Sequence, residues 1–346
     1  MYLISEVKSK ELWDSFLAEA KPHTFLHSWN WGEFQRESEV NIWRFGVYNG
    51  NRLTALMLVL RIDARRGSFL FCPHGPIFLD QESGIRNQAV EFVFKALVVR
   101  LKELAKKENV GFIRISSLLS DSSYHRSLFY NLGFRRSPIH MHPERAWMLD
   151  LSRSEDELLK SMRKQTRHCI RNAAMAGVAV SQSTDSRDIG EFYKIYKATV
   201  ARQDFVPFSR EYLEKEFSLF AKDGQAAVFL GRYNGEVISG AIVIFANGSG
   251  FYHHGASNPQ FAKVPAAHLL QWEIIREAKK RGFLWYNFWG VAPENAVRHP
   301  WAGLSLFKKG FGGSSEEYIP AQDLVLKPVY WITYCVERIR RWKRGL

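Results

Sequence analysis

The sequence predicts an α/β protein built twice over, each half a mixed β-sheet flanked by helices. Three observations carry this expectation. A Tyr-Asn-Gly turn between apolar runs occurs twice, a long amphipathic helix follows it each time, and 346 residues exceed what one core usually holds. Hydrophobic residues make up 46% of the chain, so packed cores rather than wholesale disorder are expected.

The first half opens its repeat with RFGVYNGNRLTALMLVL, Arg44 to Leu60, and the second with LGRYNGEVISGAIVIF, Leu230 to Phe245. Asn-Gly between two β-rich runs is a strong hairpin signal. FLFCPHGPIF around Gly75 then parallels GFYHHGASNP around Gly255. A helix near Ala89 to Lys107 parallels one near Pro265 to Arg281, and each runs through a glycine, Gly111 or Gly282, into an apolar strand. LFYNLGF, Leu128 to Phe134, parallels LFKKGF, Leu306 to Phe311. Between the halves, Ser154 to Lys222 reads as helical and charged, beginning with a capping box at Ser154 and Glu157. The expected division is 1–150 and 151–314, with 315–346 completing the first domain.

The formal net charge is +13, which points to an acidic partner such as nucleic acid, a phosphorylated substrate or an anionic membrane face. Cys72, Cys169 and Cys335 form no pair spacing, which fits a reducing compartment and argues against a disulfide framework. Cys72 and His74 lack a second ligand pair, so no metal is expected. The opening MYLISEVKSKELWDSF carries charges where a signal peptide needs an apolar run, and the longest apolar stretch, Leu53 to Leu60, is too short to span a bilayer. A soluble, cytoplasmic, monomeric protein is expected, with peripheral contact at the inner face of the membrane left open.

SWNWGEFQRE, SMRKQTRHCIRNAAMAGV, YHHGAS, AAHLLQWEIIREAKKRGFLWYNFWGV and GLSLFKKGFGG, in this order along nearly the whole chain, resemble the Fem family. That family comprises the FemABX peptidoglycan-bridge aminoacyltransferases. The resemblance implies a pair of GNAT-like domains with a cleft between them. It also implies transfer of an amino acid from aminoacyl-tRNA to the stem-peptide amine of a precursor, either UDP-MurNAc-pentapeptide or lipid II; the alternatives are another acyltransferase of this fold acting on a protein or polysaccharide, and a non-catalytic tRNA- or membrane-binding protein. The chain lacks the heptad-bearing helical arm of some members, and so resembles the shorter ones that use the soluble precursor.

The resemblance places Phe307 and Lys308 at the aminoacyl end of the tRNA. Lys308 has no cationic counterpart in the first half, which carries Phe129 and Tyr130 there. A lysine at that point can stabilise a developing oxyanion or the negative charge of the terminal nucleotide; a solvated surface lysine is the plainer alternative. Arg163, Arg167 and Arg171, spaced four apart with Lys160 and Lys164 beside them, would form one basic helical stripe suited to phosphates. Arg202 and Arg210 are candidates for the precursor's diphosphate, and Arg36 for a further basic contact after the Trp-Gly-x-Phe segment. Tyr252 is expected to face the cleft. His253 and His254 are set aside as bases, because strand alternation would point only one of them inward and no carboxylate partner is apparent.

Acyl-CoA enzymes of this fold carry a glycine-rich loop whose N–H groups hold pyrophosphate. Gln260 to Pro265 has no glycine, and Pro265 has no N–H, so no cofactor is expected. The tail from Pro328 to Leu346 leaves contact with anionic lipid or tRNA open. The favoured reading docks its apolar side on the first domain and leaves its basic side outward.

Overall fold

The computed structural model describes residues 2–65, 67–79, 86–203, 206–294, 296 and 299–343. The chain divides into two compact units. The first comprises Met1–Arg145, Ala292–Pro300 and Glu316–Leu346; the second comprises Ala146–Val291 and Trp301–Ser315. Arg344 of the expected basic tail lies outside the described residues.

The first unit contains β1 (Tyr2–Glu6), α1 (Lys10–Glu19), α2 (Trp29–Glu37), β2 (Ile42–Asn49), β3 (Arg52–Ala64), β4 (Gly67–His74) and β5 (Ile77–Phe78). It continues with α3 (Arg86–Lys107), β6 (Phe112–Ser117), α4 (Ser123–Asn131) and β7 (Arg135–Arg136). Next along the chain come β8 (Arg145–Asp150), α5 (Glu155–Ser161), α6 (Lys164–Met175), β9 (Ala179–Ser183), α7 (Ile189–Gln203) and α8 (Arg210–Ala221). These are followed by β10 (Ala226–Tyr233), β11 (Glu236–Ala246), β12 (Ser249–Ser257), α9 (Ala266–Lys280), β13 (Trp285–Gly290), α10 (Ala302–Lys309) and β14 (Ser314–Glu317). β15 (Gln322–Val325) and α11 (Tyr330–Lys343) return to the first unit.

One sheet runs β1-β2-β3-β4-β6-β15-β7, with β5 beside β3; the other runs β14-β8-β13-β12-β11-β10-β9. Both repeat hairpins form as expected, but with different loops. Tyr233 pairs with Glu236, so Asn234-Gly235 is the turn, with both residues left-handed. In the first hairpin Asn49 pairs with Arg52, so the turn is Gly50-Asn51, one residue further on; each hairpin carries a bulge just after its turn, at Thr54 and at Ile238.

The apolar run Leu53 to Leu60 is continuous because β3 is buried on both faces. Ala55, Met57 and Val59 pack with Phe94, Leu97 and Leu101 of α3. On the opposite face, His27 accepts the Leu58 amide at 2.8 Å through Nε2 and donates to the Pro73 carbonyl at 2.7 Å through Nδ1. Burial holds that imidazole down to about 4. The second unit repeats the layering. Ala241, Val243 and Phe245 of β11 pack with Leu270, Ile274 and Ala278 of α9.

The stretch between the repeats is not purely helical, since β9 adds a strand to the edge of β10. Ser154 and Glu157 form the expected capping box. The tail departs from its expected docking. The face of α11 turned inward is largely polar: Glu337 bonds Arg114 at 2.8 Å, and Arg114 also binds Asp323 at 2.7 and 2.8 Å. The Tyr330 hydroxyl donates to Asp323 at 3.0 Å. Its apolar residues Ile332, Ile339 and Trp342 are exposed.

Candidate active site

The two units differ where their parallel strands meet. In the first, β4 and β6 stay paired over six positions, from Phe69–Phe112 to His74–Ser117. In the second, β12 and β13 pair only from Ser249–Trp285 to Phe251–Asn287, and then part. Two local irregularities accompany the parting. On β12 a bulge makes Ile242 face His254 and Val243 face Tyr252, so His253 is the extra residue. On β13 the Asn287 carboxamide accepts the Trp289 amide at 2.7 Å, and Trp289 takes a left-handed φ of 67°. A bulky residue in that region marks strain that the surroundings hold in place.

Lys308 reaches this point from α10. Its Nζ donates to the Gly290 carbonyl at 2.6 Å and lies 6.0 Å from the centre of the Tyr252 ring. The side chain is 4% exposed, so the solvated-lysine alternative is wrong. Burial pulls its ammonium down to about 7. One bond to a carbonyl leaves two further N–H donors on the charged form. Tyr130 is 79% exposed, so the residue that matches Lys308 in sequence points outward, not inward. In the second half Lys308 is buried and Leu306 exposed, the reverse of Tyr130 and Leu128 in the first.

Phe307 is half-buried and packs edge-on against His268 and Phe311, at 5.0 and 5.3 Å. Tyr252 is half-buried too, with its phenol folded over Gly255, where any Cβ would collide with it. Burial pushes that phenol up to about 12, so it stays protonated.

The bulge overturns the expectation that only one histidine points inward and that neither has a carboxylate partner. Glu216 of α8 accepts His253 Nε2 at 2.8 Å on one oxygen and His254 Nε2 at 3.1 Å on the other. The rings lie 3.9 Å apart. Burial would raise the Glu216 carboxyl, but the two imidazoles outweigh it and hold the group at about 2. Burial and the neighbouring His253 lower His254. The donor atoms of these three residues lie within 4.8 Å of one another, the only such group of metal-capable side chains among the described residues. Because each imidazole takes a separate carboxylate oxygen, protons suffice to satisfy the buried charge.

The basic stripe does not form as one helix. The chain breaks at Met162, and Arg163 is the N-cap of α6. Arg163 donates its amide to Gly310, just past α10, at 2.9 Å, and its side chain is exposed. Arg167 turns back to cap α5, donating to the carbonyls of Leu159 and Lys160 at 3.4 and 3.3 Å and to that of Met162. Arg171 is exposed. Arg202 donates to Ser257 at the end of β12 at 3.1 Å, and Arg210 pairs with Glu214 at 2.8 Å. Arg36, in the first unit, pairs with Glu33 at 2.9 Å, and Glu33 also holds the buried Arg44.

The structure thus brings Lys308 and Tyr252 to the parting of β12 and β13, while Phe307 packs against His268 and Phe311. Glu216, Trp289 and Gly290 were not singled out by the sequence. Glu216 is one acid among several in REYLEKEF, and only the bulge pairs it with both histidines.

Residues 8–127 match the FemAB family, and residues 160–296 match the acetyltransferase (GNAT) domain. A Lipid II:glycine glycyltransferase of Staphylococcus aureus (strain USA300) is 23% identical, over 68% of this chain and 74% of that protein. The crystal structure of FemX covers 95% of this chain and 99% of its own with a TM-score of 0.83 at 19% identity. A tandem GNAT protein from the clavulanic acid biosynthesis pathway covers 95% and 99% with a TM-score of 0.59 at 12% identity. The fold is a duplicated GNAT fold.

Proposed function

Because the chain belongs to the Fem family, we propose that it moves an amino acid from aminoacyl-tRNA to the stem-peptide amine of a peptidoglycan precursor. The observation that carries this reading is the buried ammonium of Lys308, held on the Gly290 carbonyl where β12 and β13 part. The precursor amine attacks the ester carbonyl, and the carbonyl electrons move onto oxygen. Collapse then expels the ribose hydroxyl of the tRNA, which takes up the proton the amine has lost. The ester is already activated, so positioning and charge stabilisation are the main demands. Lys308 supplies the charge with its remaining N–H donors, in a place with little competing water. Phe307 and Tyr252 wall the reacting group. Arg163, Arg171, Arg202 and Arg210 offer cations to tRNA or diphosphate, and Arg36 is assigned the same task in the first unit. Arg167 serves first as a cap.

The test is reconstitution with a panel of charged tRNAs and two acceptors, UDP-MurNAc-pentapeptide and lipid II, read by mass. Addition of one aminoacyl residue to either acceptor supports the reading. No addition with any pair, from a folded preparation, overturns it. The match to an acetyltransferase domain favours a second reading, acyl transfer from acyl-CoA. The absence of glycine from Gln260 to Pro265 speaks against it.

A further inference from the structure

A helix packed on a domain ordinarily turns its apolar side inward. α11 does the reverse. Its buried residues are Tyr330, Thr333 and Glu337, of which Tyr330 bonds Asp323 and Glu337 bonds Arg114. Ile332, Cys335, Ile339 and Trp342 follow one another at spacings of three and four, so they line a single stripe on the opposite side. Ile332 is 59% exposed, Ile339 54% and Trp342 81%. Trp331, also exposed, lies beneath the Arg135 guanidinium at 4.4 Å.

The charges beside this stripe are of one sign. Arg338, Arg340 and Lys343 are exposed around it, and Glu337, the one acid of the helix, is buried against Arg114. A second copy of the same helix would meet this face cation to cation. An anionic surface with an apolar interior fits both features. Exposed apolar side chains bordered by Lys and Arg are the pattern of a helix lying in a membrane interface. No described helix is long and apolar enough to cross a membrane, so the geometry is one of lying on it.

We propose that α11 is an interfacial anchor that seats the protein on an anionic lipid bilayer through Ile332, Ile339 and Trp342, with Arg338, Arg340 and Lys343 at the headgroups. If the proposed transfer reaction holds, a protein held there meets the lipid-linked form of its acceptor; that step alone rests on the functional reading.

The test needs no substrate. The full chain is sedimented with phosphatidylcholine vesicles and with vesicles containing about one third phosphatidylglycerol, at low and high salt. Binding to the anionic vesicles alone is expected, weakening with salt. The double variant Ile339→Glu/Trp342→Glu should bind at least about tenfold more weakly. A second measurement leaves the stripe's apolar residues intact. With Cys169→Ser, an environment-sensitive dye on the exposed Cys335 should shift to the blue on anionic vesicles. No binding at low salt, parental binding by a folded double variant, or an unshifted dye overturns the proposal. So does a concentration-dependent dimer that the double variant abolishes. A loss of tRNA retention with vesicle binding unchanged would likewise assign the face to RNA.

Discussion

Lys308 reaches 18 residues back along the chain to place its ammonium 2.6 Å from the Gly290 carbonyl. The bond ties α10 to the end of β13, and it fixes which way the free N–H donors point. Replacing Lys308 with Met keeps the length and the apolar stem but removes the donor. Turnover should fall by about two to three powers of ten, as for loss of one preorganised donor. Stability should change by no more than about 2 kcal/mol, the cost of leaving one carbonyl unpaired. Turnover and melting temperature on one preparation check this, and near-parental turnover removes Lys308 from the site.

The same lysine predicts a pH effect. If the charged form does the work, activity must fall as pH rises through about 7, where burial has placed its titration. Lys308→Arg, always charged, should move that fall to higher pH even if its maximum rate is lower. An alkaline limb that stays in place in the arginine variant would show that another group sets it.

Glu216 carries the only charge facing the two imidazoles in the contacts described. Glu216→Gln should lower stability by about 3 kcal/mol, because two imidazoles lose a buried counter-charge. In the parent, the carboxyl is lowered from 4.5 to about 2, so its contribution is present above pH 4.5 and fades as pH falls toward 2. Denaturant titrations across that range should show the slope in the parent and lose it in the variant.

His27 predicts an acid dependence for the first unit. Its imidazole must be neutral, since Nε2 accepts the Leu58 amide while Nδ1 donates to Pro73. With its titration lowered from 6.5 to about 4 by burial, the unfolded chain takes up the proton first. Stability should therefore decline as pH falls from 6.5 to 4, by about 3 kcal/mol in total. His27→Gln should be less stable at neutral pH and flatter over this window.

Acetyl-CoA should not bind. Pro265 caps α9 without an N–H, and no glycine precedes it. Calorimetry showing micromolar affinity would contradict this and revive the acyl-CoA reading.

Much of the architecture was legible because it repeats. Two Tyr-Asn-Gly hairpins, two helices ending at a glycine and two closing Gly-Phe segments describe strands and helices by local pattern alone. What stayed hidden depends on single-residue shifts. The bulge at His253 follows no residue signature, yet it turns two adjacent histidines onto one carboxylate. The break at Met162 divides a helix whose arginine spacing reads as continuous, and so converts Arg167 from a phosphate ligand into a cap. Burial of Lys308 was equally unreadable, because its neighbours Lys309 and Leu306 suggest a solvated face. For α11 the amphipathic pattern was visible but its orientation was not, since the ion pair at Arg114 joins residues 223 positions apart.

The return of β15 and α11 to the first sheet sets an order of completion during synthesis. Residues 146–291 leave the ribosome before residues 316–346, so most of the second unit is available to fold while β6 still lacks its β15 neighbour. Until Asp323 and Glu337 emerge, Arg114 has neither of its carboxylate partners, and the strand that carries it presents an open edge. The unit whose chain begins first is thus the one that closes last. A nascent chain that has released residues 146–291 but not 316–346 would hold β6 without β15 and Arg114 without Asp323 and Glu337, a form a quality-control protease or chaperone would meet.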